Sequence, residues 1–479
     1  MNAPLVLFPA GPFGWSSYDV IYPALEKIWK SLEFEIAKVW FPRPSLTPEF
    51  VERCRAASCL VFPLGLSHLD SLWTLTKLRR DFACATPAVV MLASDLTAGY
   101  QGFLQNMEIL TSRDRFVTNC SVEADLFRFA FGTGPRASVN VSPIALPVFP
   151  FAKKRSVSRK ALGLSSSDEV VLYAGRISAQ KNLHGLIASF KAVLQKRPRA
   201  KLFIAGGADE IGYPRVKNQN ERRYIHELSQ LVVALGLENE VKFLGVLSQD
   251  ELAAWFDVAS LHVSLTVHSG EDFGYSIAQG LVAGVPTLVT EWGGGHDFVA
   301  DSGAQGLRVH VTANGPKVSV AKAAERIVEL LGRSKRPSAN GLKPRAIEKR
   351  WRAVTTFGAD VGRTAPVALK VNRKLRLRTV GRGPHFATAR DPMYQAICRI
   401  YARETVPTKR VRHEWNLMFD PRESFLWDPV SELRRFKFSR SEKEFVGKWW
   451  PRAVDISRLP GREKKIARDM IDRALLLPL

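Results

Sequence analysis

Thiols are scarce in this chain, with five cysteines among 479 residues. Cys54, Cys59, Cys84, Cys120 and Cys398 follow neither a metal-ligand spacing nor a disulfide framework. Such usage fits a reducing compartment, and a cytoplasmic location is expected. Long apolar runs are missing as well, since no stretch reaches the roughly 20 residues that a bilayer span needs. The apolar run at residues 4–9 has no basic segment before it, so no secretory leader is expected. No Asp-x-Asp pair marks a divalent cation. His262, His268 and His296 lack a clear third ligand, and His262 alternates within an apolar strand as a packed side chain would. Neither metal nor cofactor is expected.

Acidic residues are also in deficit. Lys and Arg number 69 against 46 Asp and Glu, a formal net charge of +23. The imbalance is concentrated, because residues 335–479 hold 34 basic and 15 acidic side chains. A surface of this kind attracts anionic lipid, an acidic polymer or nucleic acid. No nucleic-acid module is visible, so nucleic acid is not the expected partner.

The length suits two or three domains. Over residues 1–150, short apolar runs alternate with helical ones, which implies a parallel sheet covered by helices. The first run, residues 5–8, is followed by Gly11 and Gly14, the place where doubly wound folds bind ligands. Asp95 ends the strand predicted at 88–93, as a ligand contact or as a helix cap. A proline-containing linker is read at 147–159 and a second at 334–344, which bound a second domain at 151–334.

Two segments of that second domain carry chemistry. A buried strand at 170–174 runs into Gly175, Arg176, Lys181 and Asn182, then into a helix predicted over 183–194. Arg offers phosphate a planar fork and Lys a point charge. Gly206 ends the next strand, where a backbone can approach a ligand closely. The other segment starts with an apolar strand at 259–265. A loop then leads through Glu271, Phe273, Gly274, Tyr275 and Ser276 into a helix stopped by Gly284 and Pro286. Free backbone N–H groups at that helix start, with the helix dipole, favour a phosphate.

These motifs resemble the retaining glycosyltransferases of group 1 (family 4-like), which have the GT-B fold. The family carries Glu–seven residues–Glu; here the first acid is Glu271 and the later position is Gln279. The pattern continues through Gly280, Ala283, Gly284, Pro286 and the loop Gly293–Gly295. The resemblance implies an α/β fold of two Rossmann-like domains facing across a cleft, an acceptor domain at 1–150 and a nucleotide-sugar domain at 151–334. It also implies transfer of a hexose from a nucleotide sugar to a hydroxyl with retention. The acceptor would be a cell-surface polysaccharide or a lipid-linked glycan. Arg176 and Lys181 would hold the donor diphosphate, Glu271 the donor sugar and Gln279 the ribose. Gly175, Gly206, Phe273, Gly274, Tyr275 and Ser276 would line the donor site, and Gly11, Gly14 and Asp95 the acceptor side. Gln279 keeps open the alternative of a catalytically silent relative serving as a binding or scaffold protein.

No family motif is seen over 335–479. Basic and apolar residues alternate at 373–378, and cations mix with Phe445, Trp449 and Trp450 at 436–450. That mixture suits either tryptophans packed against the main body or an anionic membrane surface, and the second makes a peripheral location at the membrane's inner face the companion expectation. A helix is predicted over 461–477, where the resemblance implies a return to the first domain.

Overall fold

The computed structural model describes all residues except 1, 11–17, 41–43, 64–67, 93–108, 132–139, 152–158, 179–180, 209–218, 268–270, 313–314, 333–335, 358–398, 404–417, 421–424, 428–434, 438–439, 450–458 and 473–479. The chain divides into two compact units. The first takes the described residues of 1–149, 269–275 and 339–384, and the second those of 150–268, 276–338 and 385–479.

The first unit is built on a parallel sheet of β1 (Leu5–Pro9), β2 (Glu35–Val39), β3 (Leu60–Phe62), β4 (Ala88–Leu92), β5 (Arg115–Thr118) and β6 (Asn140–Pro143), in the order β2-β1-β3-β4-β5-β6. Its central strands are continuous apolar runs, buried along their whole length in β1 and β4. That pattern belongs to a sheet covered on both faces. Helices Tyr18–Ser31, Pro48–Ala56, His68–Arg80 and Ser121–Phe131 make the crossovers. Proline at the first helical positions and Thr47, whose Oγ1 accepts the Phe50 N–H at 3.3 Å, start the second of these.

Helix Pro344–Thr355 also belongs to this unit, directly after the linker read at 334–344. Ile347, Trp351 and Val354 recur at helical spacing and are buried, while Arg345, Lys349 and Arg352 stay exposed. The Trp351 ring meets Trp29 edge to face at 5.3 Å. Arg115 Nη1 donates to the carbonyls of Ala353, Val354 and Thr356 at 2.9–3.0 Å, which satisfies the orphan acceptors of the helix end.

The second unit repeats the plan with β7 (Glu169–Ala174), β8 (Ala200–Ala205), β9 (Val241–Gly245), β10 (Leu261–Ser264), β11 (Thr287–Thr290) and β12 (Gln305–Leu307). They are parallel, in the order β12-β11-β10-β7-β8-β9. Helices Leu183–Lys196, Gln219–Ala234, Gln249–Val258, Tyr275–Val282, Gly295–Asp301 and Val320–Leu331 accompany it. The core gathers Val171, Leu186, Phe190, Leu202, Val263 and Ile327. Ser248 and Glu251 form a reciprocal capping box that starts Gln249–Val258.

Of the basic extension, the described parts include three short antiparallel strands, Met418–Asp420, Phe425–Trp427 and Arg435–Lys437. Helices Arg440–Trp449 and Gly461–Asp472 follow, joined by the ion pair Lys448–Glu463 at 2.7 Å. Both lie in the second unit, whereas Pro344–Thr355 lies in the first. The basic stretch at 373–378 lies outside the described residues.

Candidate active site

Strand order in the second sheet reverses beside β7, which has β8 on one side and β10 on the other. In open parallel sheets a crevice opens outside the carboxyl ends of the strands at such a switch point. The two motif segments leave the sheet there, one from β7 and the other from β10.

The β7 exit is shaped by backbone contact. Gly175 and Gly206 have φ of 149° and 145°, a region that side chains disfavour. A Cβ on Gly206 would sit 1.8 Å from the Gly175 carbonyl oxygen, so the ends of β7 and β8 meet too closely for any side chain. The Gly175 N–H donates to Ala205 and the Gly206 N–H to Gly245, at 3.0 and 2.8 Å. Arg176 follows on a segment pinned at both ends. Its carbonyl accepts the Tyr173 hydroxyl at 2.9 Å, and the next N–H, of Ile177, donates to Gly207 at 2.8 Å.

Lys181 closes the loop with its N–H on Ser178 O at 3.0 Å. Asn182, left-handed at φ 53°, is buried and donates Nδ2–H to Leu265 O at 3.1 Å. That bond ties the loop after β7 to the end of β10, across the switch point. In the sequence, Asn182 is part of a motif with no role of its own. The signal for it is a carboxamide beside Lys181 at the start of a helix, a place where Asn tolerates the left-handed region.

On the β10 side, Gly274 has φ 75° and precedes helix Tyr275–Val282. Ser276 Oγ lies 3.8 Å from where a Cβ on Gly175 would stand, so the first turn of this helix abuts the β7 exit. The structure thus brings together Gly175, Gly206 and Ser276, with Arg176 and Lys181 on the loop between β7 and its helix. Gln279, buried one turn further on, donates Nε2–H to Gln249 Oε1 at 3.1 Å.

Glu271, Phe273, Gly274 and Tyr275 cluster with the first unit. Asn119, just after β5, donates Nδ2–H to Asp272 Oδ2 at 2.6 Å, and Glu271, Asp272 and Phe273 are all buried. The Tyr275 hydroxyl donates to Pro147 O at 3.3 Å, and burial pushes this phenol up to about 12. Gly11, Gly14 and Asp95 lie outside the described residues, as does His268.

Among the described residues no group of three or more His, Cys, Asp and Glu side chains is placed to hold a metal ion. His262 is fully buried, edge-on to Phe256 at 5.3 Å, with neither ring nitrogen hydrogen-bonded. Desolvation pushes its pKa down to about 3. Cys54, Cys59, Cys84 and Cys120 are buried free thiols, and desolvation raises Cys54 and Cys59 to about 12, far from thiolate chemistry.

Comparison with known proteins places these features. Residues 154–343 match the family of glycosyl transferases group 1, a span that holds both motif segments. D-inositol 3-phosphate glycosyltransferase of Streptomyces avermitilis is 30% identical over 200 residues, 41% of this chain and 41% of that one. Mannosylfructose-phosphate synthase of Agrobacterium fabrum is 29% identical over 140 residues, 29% of each. The chain spans less than half the length of either relative.

Two solved structures share the fold. Anabaena HepE in complex with UDP and glucose has a TM-score of 0.50 at 17% identity, over 74% of this chain and 100% of its own. An α,α-trehalose-phosphate synthase (UDP-forming) from Burkholderia vietnamiensis has 0.51 at 12%, over 77% and 100%. The fold class is α/β of the GT-B kind, and through residues 154–343 the chain is similar to glycosyl transferases of group 1.

Proposed function

We propose that this protein is a glycosyltransferase that moves a hexose from a nucleotide-sugar donor to a hydroxyl acceptor with retained anomeric configuration. The observation that carries the reading is the pair of motif loops bridged by Asn182 at the switch point, inside the segment that matches group 1 glycosyl transferases. In this reading Arg176 and Lys181 grip the donor diphosphate, and the N–H groups from Gly274 to Ser276 add to the field at the helix start. The same cations stabilise the charge that grows on the departing nucleotide. Glu271 contacts the donor sugar and Gln279 the ribose. The acceptor hydroxyl attacks the anomeric carbon, the bond to the diphosphate breaks, and the leaving phosphate oxygen takes the hydroxyl proton. Neither a metal nor a cofactor takes part. The HepE structure and the trehalose-phosphate synthase make a uridine diphosphate sugar the first donor to test.

The acceptor is assigned to the first unit, and its class to a cell-surface polysaccharide or lipid-linked glycan at the inner face of a membrane. The excess of cations at 335–479 supports that choice, because a small neutral acceptor needs no such field. A catalytically silent binding protein is the second reading. It is favoured by the carboxamide at Gln279, which is engaged with Gln249 where the group carries an acid.

A panel of nucleotide sugars separates the two. Release of nucleoside diphosphate from one donor, stimulated by a glycan acceptor and absent from heat-treated protein, is the expected result. No release and no nucleotide binding with any donor would establish the silent reading.

A further inference from the structure

The glycine loop after β11 is covered by a piece of chain that lies beyond the family match. Trp292 is almost fully buried at the start of this loop, and its ring packs on that of Tyr401 at 5.3 Å and 49°. Tyr401 is fully buried. Its carbonyl accepts Nε2–H of His296 at 2.8 Å, while burial holds that imidazole below its ordinary pKa and therefore neutral near pH 7. Arg403 faces Asp297 at 3.8 Å across a half-exposed pair that adds little by itself. The loop between these contacts has no slack. A Cβ on Gly295 would stand 2.0 Å from Thr290 O, and Gly293 has φ 53°. β11 is the neighbour of β10, so the loop leaves the same carboxyl edge as both motif segments.

We infer that Tyr401 and the helical residues beside it are a brace that sets the conformation of the loop Trp292–His296 for donor binding. The basic extension is then a working part of the donor unit. The ring-on-ring contact and the His296 bond enter from one short segment, and losing the Tyr401 ring removes the contact that seats the segment on Trp292, which loosens the loop while leaving β7, β8 and β9 intact. Tyr401 acts through the loop and is a positioning residue. This inference rests on the donor-site reading above.

The test compares full-length wild type with Tyr401→Ala and Tyr401→Phe. Amide hydrogen exchange over residues 291–298 should speed up at least about tenfold in Tyr401→Ala, with the amides of β7, β8 and β9 unchanged. Tyr401→Phe keeps the ring and, like Tyr401→Ala, the main-chain acceptor, and its exchange over residues 291–298 should stay within about twofold of wild type. With the donor found in the panel, KM for the donor should rise about tenfold in Tyr401→Ala while KM for the acceptor stays within about twofold. Unchanged exchange at 291–298 would overturn the brace. Faster exchange with an unchanged donor KM would overturn its role in donor binding. If wild type binds no nucleotide sugar, the functional reading fails, and the exchange comparison still decides the brace. Should Tyr401→Ala not fold, Tyr401→Leu, which keeps the bulk and loses the ring, replaces it with the same expectations.

Discussion

Arg176 and Lys181 stand on a loop shaped by main-chain contacts and by the Asn182 side chain. The glycine-to-glycine contact at the ends of β7 and β8 and the Asn182 bond to Leu265 fix the backbone that presents both cations. This division suits a phosphate site, because an ordered loop loses little freedom when it binds. Other residues of the same unit bear on stability. His262 ionises near 6.5 in an unfolded chain and near 3 when buried here. The unfolded chain therefore binds the extra proton between these values. Stability from His262 is complete above about 6.5 and falls as the pH drops from there toward about 3. His184, lowered to about 4 by burial, contributes with the same sign. Replacing His262 by Leu should flatten the slope of unfolding free energy against pH in this window by up to about 1.4 kcal/mol per pH unit. Urea unfolding at pH 5 and pH 7 measures it, and an identical slope in the variant would contradict the account.

At the scale of elements, much of the fold is legible from apolar runs. Residues 5–8, 88–93 and 170–174 read as strands because a parallel sheet buries both faces and leaves no polar alternation. The motif helices at Leu183–Lys196 and Tyr275–Val282 were legible from glycines, prolines and helical spacing. β12 was not. It has three residues, Gln305–Leu307, one of them glycine, and it forms because β11 offers an edge. Helix Pro344–Thr355 was missed for another reason. Its three buried apolar side chains lie among four Lys and Arg residues and one Glu, and the charge obscures the period. Within the site, the sequence offers Arg176 and Lys181 as phosphate-binding residues by their types alone, which is the expectation carried into the proposal. The Asn182 bridge and the Tyr401 brace were not legible, since both join segments distant in sequence. Trp351→Ala should cost about 3–5 kcal/mol, because it removes a fully buried ring packed on Trp29. Chemical denaturation followed by far-ultraviolet circular dichroism would show it, and a loss below about 1 kcal/mol would mean that the helix is not part of this core.

For the molecule as a whole, the charge of +23 and the position of Pro344–Thr355 together constrain how the extension can be tested. A cut at residue 335 would remove a helix of the first unit along with the cationic tail. A cut after Phe357 leaves that helix in place. The shortened chain should lose most of its co-sedimentation with vesicles rich in anionic phospholipid, and the binding of the full chain should weaken as salt rises. Vesicle binding that survives the cut would move the membrane contact to another part of the surface.

The central claim is that a nucleoside diphosphate sits at the β7–β10 switch point, held by Arg176 and Lys181. Calorimetric titration of a nucleoside diphosphate into wild type and Lys181→Ala tests it most directly. Loss of a charge-assisted phosphate contact of about 1.5–3 kcal/mol should weaken binding at least about tenfold, with the melting temperature unchanged. Equal affinity in the two proteins, or no binding to wild type, would contradict it.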